Sequence, residues 1–194
     1  TIGNQVPFLL FTSAFGAEQL GQLALAQRLF LLPVSLISSS VGQVFLSEVS
    51  DCYRSGTLQR LLRRTSRQLI LCGLVIAAIV CLVMAPLMPK IFGQEWELTR
   101  SILPLLVPLV LGQLVVAPLS SSLWATQQLG LQLSLQIVLL VTRIFPLVLF
   151  IVCKIDISFL AAIAAYSSFS CIGYIIYYFF LDRSLKSPFK SCEC

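Results

Sequence analysis

The chain contains no histidine, which removes the side chain that most often serves as a general base or a metal ligand near neutral pH. Charge is almost as scarce. Asp, Glu, Lys and Arg make up 11% of the 194 residues, against about a quarter in soluble globular domains. Carboxylates are missing from the middle of every long apolar run; Glu48, Asp51, Asp156 and Asp182 all fall at run ends. A proton relay inside a membrane usually needs an Asp, Glu or His there, so no coupling-ion site is expected in this chain. There is also no paired carboxylate, no nucleophile beside a base, and no glycine loop that could cradle a phosphate. An enzyme is therefore not expected, and neither is a bound metal or cofactor. Ser38, Ser39 and Ser40 lack the His, Lys or buried Asp that an intramembrane serine protease would need.

What the chain does have is apolar length. Hydrophobic residues make up 58% of it, and the mean hydropathy is +0.94. Several uncharged runs are long enough to cross a hydrocarbon layer of about 30 Å. The reading is an all-α, polytopic membrane helix bundle. The net charge of +5 then speaks of topology and membrane lipids, not of a nucleic-acid partner. The seven cysteines are scattered, and those in apolar runs read as small apolar filler. Cys192 and Cys194 form a C-x-C tail without a second ligand pair or a prenylation pattern. The sequence starts at Thr1 inside an apolar run, with no basic leader, so a piece of a longer protein is expected.

The segment from Gly21 to Ser50 organises the rest. Leu29 to Ser47 carries no charge, yet Arg28 sits at one end, Pro33 interrupts it, and serines and Gln43 run down it. At about 100° per residue, Arg28, Ser35, Ser39 and Gln43 share one face. Such a stripe should face other helices or a watery cavity and not lipid. Six spans are expected, at about residues 1–15, 22–47, 69–88, 102–124, 131–153 and 157–181. Together they form one lobe over residues 1–182, with a polar tail at 183–194. Between the second and third spans, Arg60, Arg64 and Arg67 turn away from a face of leucines. Residues 57–68 are thus expected as an amphipathic segment on the membrane surface, a solvated basic loop being the alternative. Pro86 and Pro89 should end the third span. Pro104, Pro108 and Pro118 should bend or break the fourth, where Gln113, Ser120 and Gln127 recur at seven-residue steps. Trp96 and the aromatics Tyr174, Tyr177, Tyr178, Phe179 and Phe180 read as interfacial anchors.

Loop charges orient the spans. One set of loops holds Arg54, Arg60, Arg63, Arg64, Arg67, Arg183, Lys186 and Lys190, and the other holds Lys90, Arg100 and Lys154. Eight positive charges against three place the first set, and the C-terminus, in the cytoplasm.

Two arginines carry the chemistry. Arg143 lies about 18 Å along its span from Leu131, too deep to snorkel easily. A charge at that depth costs about 2.5–3.5 kcal/mol on insertion scales. It either lines a cavity or partners carbonyls of a broken helix. Arg28 is about 9 Å from Gln22, so snorkelling remains open for it. Gln132 and Gln136 share the side of the fifth span that carries Arg143. Arginine's fork matches phosphate oxygens in pairs, and Gln and Ser suit sugar hydroxyls. The cavity-lining set Arg143, Arg28, Gln136, Gln43, Gln113, Ser35 and Ser39 therefore suits a lipid that carries a pyrophosphate and sugars.

These residues also carry a family resemblance. The stretch FGAEQLGQLALAQRLFLLPVSLISSSVGQVFLSEVS, with Gly16, Gly21, Ala24, Ala26, Arg28, Pro33, Ser35, Val41-Gly42-Gln43, Phe45 and Glu48, resembles the C-terminal half of bacterial polysaccharide and O-antigen flippases. Ile91-Phe92-Gly93 with Trp96, then Pro118-Leu119, Gln127, Gln136 and Arg143, extend it. These belong to the multidrug/oligosaccharidyl-lipid/polysaccharide exporter superfamily. The resemblance implies one lobe of a two-lobed transporter that works by alternating access in the bacterial cytoplasmic membrane. It implies an undecaprenyl-pyrophosphate-linked oligosaccharide as the molecule moved, for polysaccharide or lipopolysaccharide synthesis, with Arg28 and Arg143 holding its anionic head. The partner it implies is an N-terminal lobe of the same protein. A multidrug or cation exporter lobe, and a non-transporting scaffold of the polysaccharide synthesis machinery, are the alternatives.

Overall fold

The computed structural model describes residues 2–54, 57–120, 123, 129–152 and 158–184. The expectations for Gln127, Lys154, Lys186, Lys190, Cys192 and Cys194 lie outside the described residues. The helices in chain order are α1 (Ile2–Phe15), α2 (Ala17–Arg54), α3 (Leu58–Ile79), α4 (Ala85–Phe92), α5 (Glu97–Leu119), α6 (Leu129–Val152) and α7 (Phe159–Ser184). Among the described residues there is no strand, so the fold is an all-α bundle.

Five helical stretches are long and apolar enough to cross a membrane: Ala17–Val49, Gln59–Ile91, Gln94–Leu119, Gly130–Phe150 and Phe159–Arg183. The chain is a multi-pass membrane protein by that measure. α1 has 14 residues, or about 21 Å, and falls short of a crossing. Gly16, at φ +87°, lets the chain reverse between α1 and α2. A side chain is rarely accommodated at that angle.

The central element is α5. It packs against α2 on one side, α7 on another, and α3 and α4 on a third. Its buried residues run almost its whole length, from Thr99 to Leu119. α6 packs on α7, and α1 leans on both α6 and α2. Phe11 and Phe15 of α1 meet Phe159 edge-on with ring centroids 6.1 and 5.3 Å apart. The order α2, α5, α7, α6, α1 therefore closes on itself at the end where α1 lies.

Residues 57–68, read from sequence as a separate amphipathic segment, form the first turns of α3, which continues into the third span without a break. The leucine face is real: Leu62 and Leu69 are buried. No glycine or proline between them stops the helix, so the segment and the span are one rod. Arg63 pairs with Asp182 of α7 at 3.6 Å, and Gln59 donates to the same carboxylate at 3.0 Å. The third span does not stop at Pro86. A π-helical turn, Val80–Met84, takes up the change of register. Pro86 then sits in the first turn of α4, where its missing N–H is tolerated. α4 ends at Gly93, whose φ of +96° and ψ of 168° are reached comfortably only by glycine.

In α5 the helix stays continuous across Pro104 and Pro108. The hydroxyl of Ser167 on α7 accepts the backbone N–H of Leu109 at 3.2 Å. Where prolines loosen the backbone ladder, a neighbouring side chain satisfies it, as an apolar surrounding requires. Replacing Gly93 by alanine should cost about 1–3 kcal/mol through that backbone strain. The check is thermal unfolding of the detergent-solubilised chain, with Gly130→Ala as the comparison, since open space surrounds Gly130.

Candidate functional site

Where the five helices close, they enclose a cavity of about 430 Å³. Its wall takes Phe8 from α1; Ala24, Gln27, Arg28 and Leu31 from α2; Leu109 and Gln113 from α5; Arg143 from α6; and Tyr166 from α7. A narrower cleft of about 50 Å³ continues from it between α2 and α5, sharing Gln27, Leu31, Leu109 and Gln113. Arg28 lies about 17 Å from the start of α2 by helical rise, so the cavity sits well inside the bundle.

Arg143 is the floor of the site. It is only 8% exposed, in the middle of a helix with no other charge. Its guanidinium donates to the hydroxyl of Tyr174 on α7 and lies 5.3 Å from the centre of the same ring. One tyrosine thus offers the cation a hydrogen-bond acceptor and the negative face of a π-system. Tyr174 is held in turn by small residues. A Cβ at Gly112 of α5 would stand 2.8 Å from Tyr174 Cβ and Cγ. A Cβ at Gly173 would stand 3.2 Å from Thr142 Cβ on α6. Glycines at these two points let α5, α7 and α6 approach closely enough for Tyr174 to reach Arg143.

Arg28 is exposed at the rim, while Gln27, Gln113 and Tyr166 supply neutral donors and acceptors around the wall. Among the described residues no carboxylate lines the cavity. Two arginines and two amides on one cavity wall are donors that an anion can accept from, and arginine's paired donors match the geometry of phosphate oxygens.

Of the residues expected from sequence, Arg28, Gln113 and Arg143 meet in this cavity. Ser35, Ser39 and Gln43 do not. They are exposed on α2, and the hydroxyls of Ser35 and Ser39 donate back to the carbonyls of Leu32 and Leu36 at 2.9 and 3.0 Å. Gln136 is exposed on α6, outside the cavity lining. Gln43 lies about 22 Å along α2 from Arg28, so the stripe runs on past the level of the cavity. Gln27, Tyr166 and Tyr174 were not singled out as site residues from sequence. Gln27 precedes Arg28 and had a visible signal as an amide on the same turn. Tyr174 was read as an interfacial aromatic. It is 5% exposed and Tyr177 1%, so both are packed inside the bundle, whereas Phe179 and Phe180 are exposed as expected.

The fold and the cavity together define a class: a multi-pass membrane helix bundle with an arginine-lined pocket inside it. A family model described as polysaccharide biosynthesis protein matches residues 1–102. That is more than half of the chain, and the chain belongs to this family. The match covers Arg28 and the α2 stripe; Gln113, Arg143 and Tyr166 lie beyond it. No curated protein and no solved structure matches the chain.

Removing the Tyr174 hydroxyl while keeping its ring tests the support of Arg143. Tyr174→Phe should destabilise the bundle by about 1.5–3 kcal/mol, the scale of a hydrogen bond to a charged group. Arg143→Met with Tyr174→Phe should cost less than the sum of the two single changes. A double-mutant cycle of detergent unfolding measures both.

Proposed function

We propose that the chain is part of a transporter that flips an undecaprenyl-pyrophosphate-linked oligosaccharide across the bacterial cytoplasmic membrane, for synthesis of a surface polysaccharide such as lipopolysaccharide O-antigen. The single observation that carries the reading is the convergence of Arg28, Arg143, Gln27 and Gln113 on one cavity within a membrane bundle. The arginines would hold the pyrophosphate, and the amides would accept and donate to sugar hydroxyls. Membership of the polysaccharide biosynthesis family supports the substrate class. The partner would be an N-terminal lobe of the same protein, across a central cavity onto which the polar stripe of α2 opens. Movement would be rocking of two lobes about a site near the bilayer midplane, with no covalent step on the lipid. The arginines that cluster at the end of α2 and in the first turns of α3 favour a cytoplasmic C-terminus.

A cation exporter would place carboxylates in the cavity, and the described lining holds none. A scaffold role rests on the exposed Arg60, Arg64 and Arg67, which could dock an acidic partner. Neutralising these three would then impair assembly of the synthesis machinery and leave flipping intact.

The test is flipping of a fluorescent polyprenyl-pyrophosphate oligosaccharide in reconstituted vesicles. Arg143→Ala should lower the rate at least tenfold with membrane insertion unchanged, and Arg143→Lys should recover part of it, because a lysine restores the charge without the fork. Normal flipping by Arg143→Ala would remove the cavity from the mechanism.

A further inference from the structure

A second cavity, of about 440 Å³, opens between α2 and α3. It is separate from the first: Glu48 lies about 30 Å along α2 from Arg28. It falls just past the uncharged run that ends at Ser47, which is headgroup depth for a helix that spans the membrane. Glu48 of α2 and Arg64 of α3 both line it. The two are exposed and do not pair with each other; the ion pair at this end joins Arg63 to Asp182. A cation and an anion thus share one groove with open space between them.

The remaining lining mixes polar and apolar residues. Gln68 and Ser40 line the groove. The Ser40 hydroxyl donates to Leu36 O at 2.9 Å, which leaves its oxygen free to accept. Val41 and Val44 line the groove as well, and Val44 is 60% exposed, continuous with the apolar outer surface of the bundle. On the α3 wheel Arg64 and Gln68 fall within an arc of about 40°. Arg60, Arg67 and Arg63 fall about 40–100° to the other side of Arg64 from Gln68 and do not line the groove, so the lining itself holds one cation and one anion although the segment around it is basic.

We propose that this groove binds the headgroup of a zwitterionic, primary-amine phospholipid, of the phosphatidylethanolamine class. Arg64 receives the phosphodiester through its paired donors. The ammonium donates to the Glu48 carboxylate, and the acyl chains run along Val41 and Val44 toward the deeper end of the groove. The pairing sets the selectivity. A choline headgroup has no N–H to donate to Glu48. A phosphatidylglycerol headgroup brings no cation and leaves its negative charge beside a carboxylate. A purely basic surface would instead favour the anionic lipid.

The experiment uses the purified chain in nanodiscs made from equal parts of phosphatidylethanolamine, phosphatidylglycerol and phosphatidylcholine, extracted into mild detergent, with retained lipid counted by mass spectrometry. The wild-type chain should retain phosphatidylethanolamine at least fivefold over either other lipid. Glu48→Gln should bring the three to near parity, and Arg64→Gln should lower retention of all of them. Arg63→Gln, outside the groove, should leave the preference unchanged, and circular dichroism should show wild-type helix content in each variant. The proposal is overturned by an unselective wild type, by a preference for phosphatidylglycerol, by a preference that survives Glu48→Gln, or by its loss in Arg63→Gln. The readout is lipid retention, so it is independent of whether the other cavity moves an oligosaccharide.

Discussion

The guanidinium of Arg143 sits buried inside an apolar bundle, and the neighbouring structure is arranged around keeping it solvated. Tyr174 answers it twice, with its hydroxyl and with its ring face. For Tyr174 to stand there, α7 must lie close to α5 at Gly112 and close to α6 at Gly173. The close packing of the three helices and the polarity of the cavity floor therefore have one origin.

The backbone imposes a parallel demand. Pro104 and Pro108 remove two donors from the ladder of α5, at the level where Leu109 borders the cavity. Ser167 supplies an acceptor to the Leu109 amide from the neighbouring helix. α7 thus serves two neighbours, holding the cation of α6 through Tyr174 and a main-chain amide of α5 through Ser167. The central helix can bend toward the cavity without leaving that amide stranded in an apolar medium.

Much of this was legible in the sequence, and what was not shares a cause. Apolar run length gave the helices and the membrane, and the misplaced charges gave Arg28 and Arg143, because burying a charge is costly enough to demand a reason. Gln113 followed from its helical phase. Phase, however, says which residues share a face and not what covers that face at a given depth. Ser35, Ser39, Gln43 and Gln136 have the right phase and lie outside the lining of the cavity. Tyr174 has the composition of an interfacial residue, and its burial depends on glycines on two helices, a relation between segments that no single window contains. The continuity of α3 through Thr65-Ser66-Arg67 was hidden for a related reason: a change from amphipathic to uniformly apolar pattern looks like a boundary, but no breaker residue enforces one.

The π-helical turn at Val80–Met84 gives the long rod a property that a plain α-helix lacks. It inserts one surplus residue into the turn, which rotates everything after it by about 100° relative to an unbroken α-helix. The halves before and after the turn both pack on α5, so the surplus residue resets which face the proline-bearing half presents to that shared neighbour. Removing it would swing one half off α5 while the basic half stayed tied to Asp182.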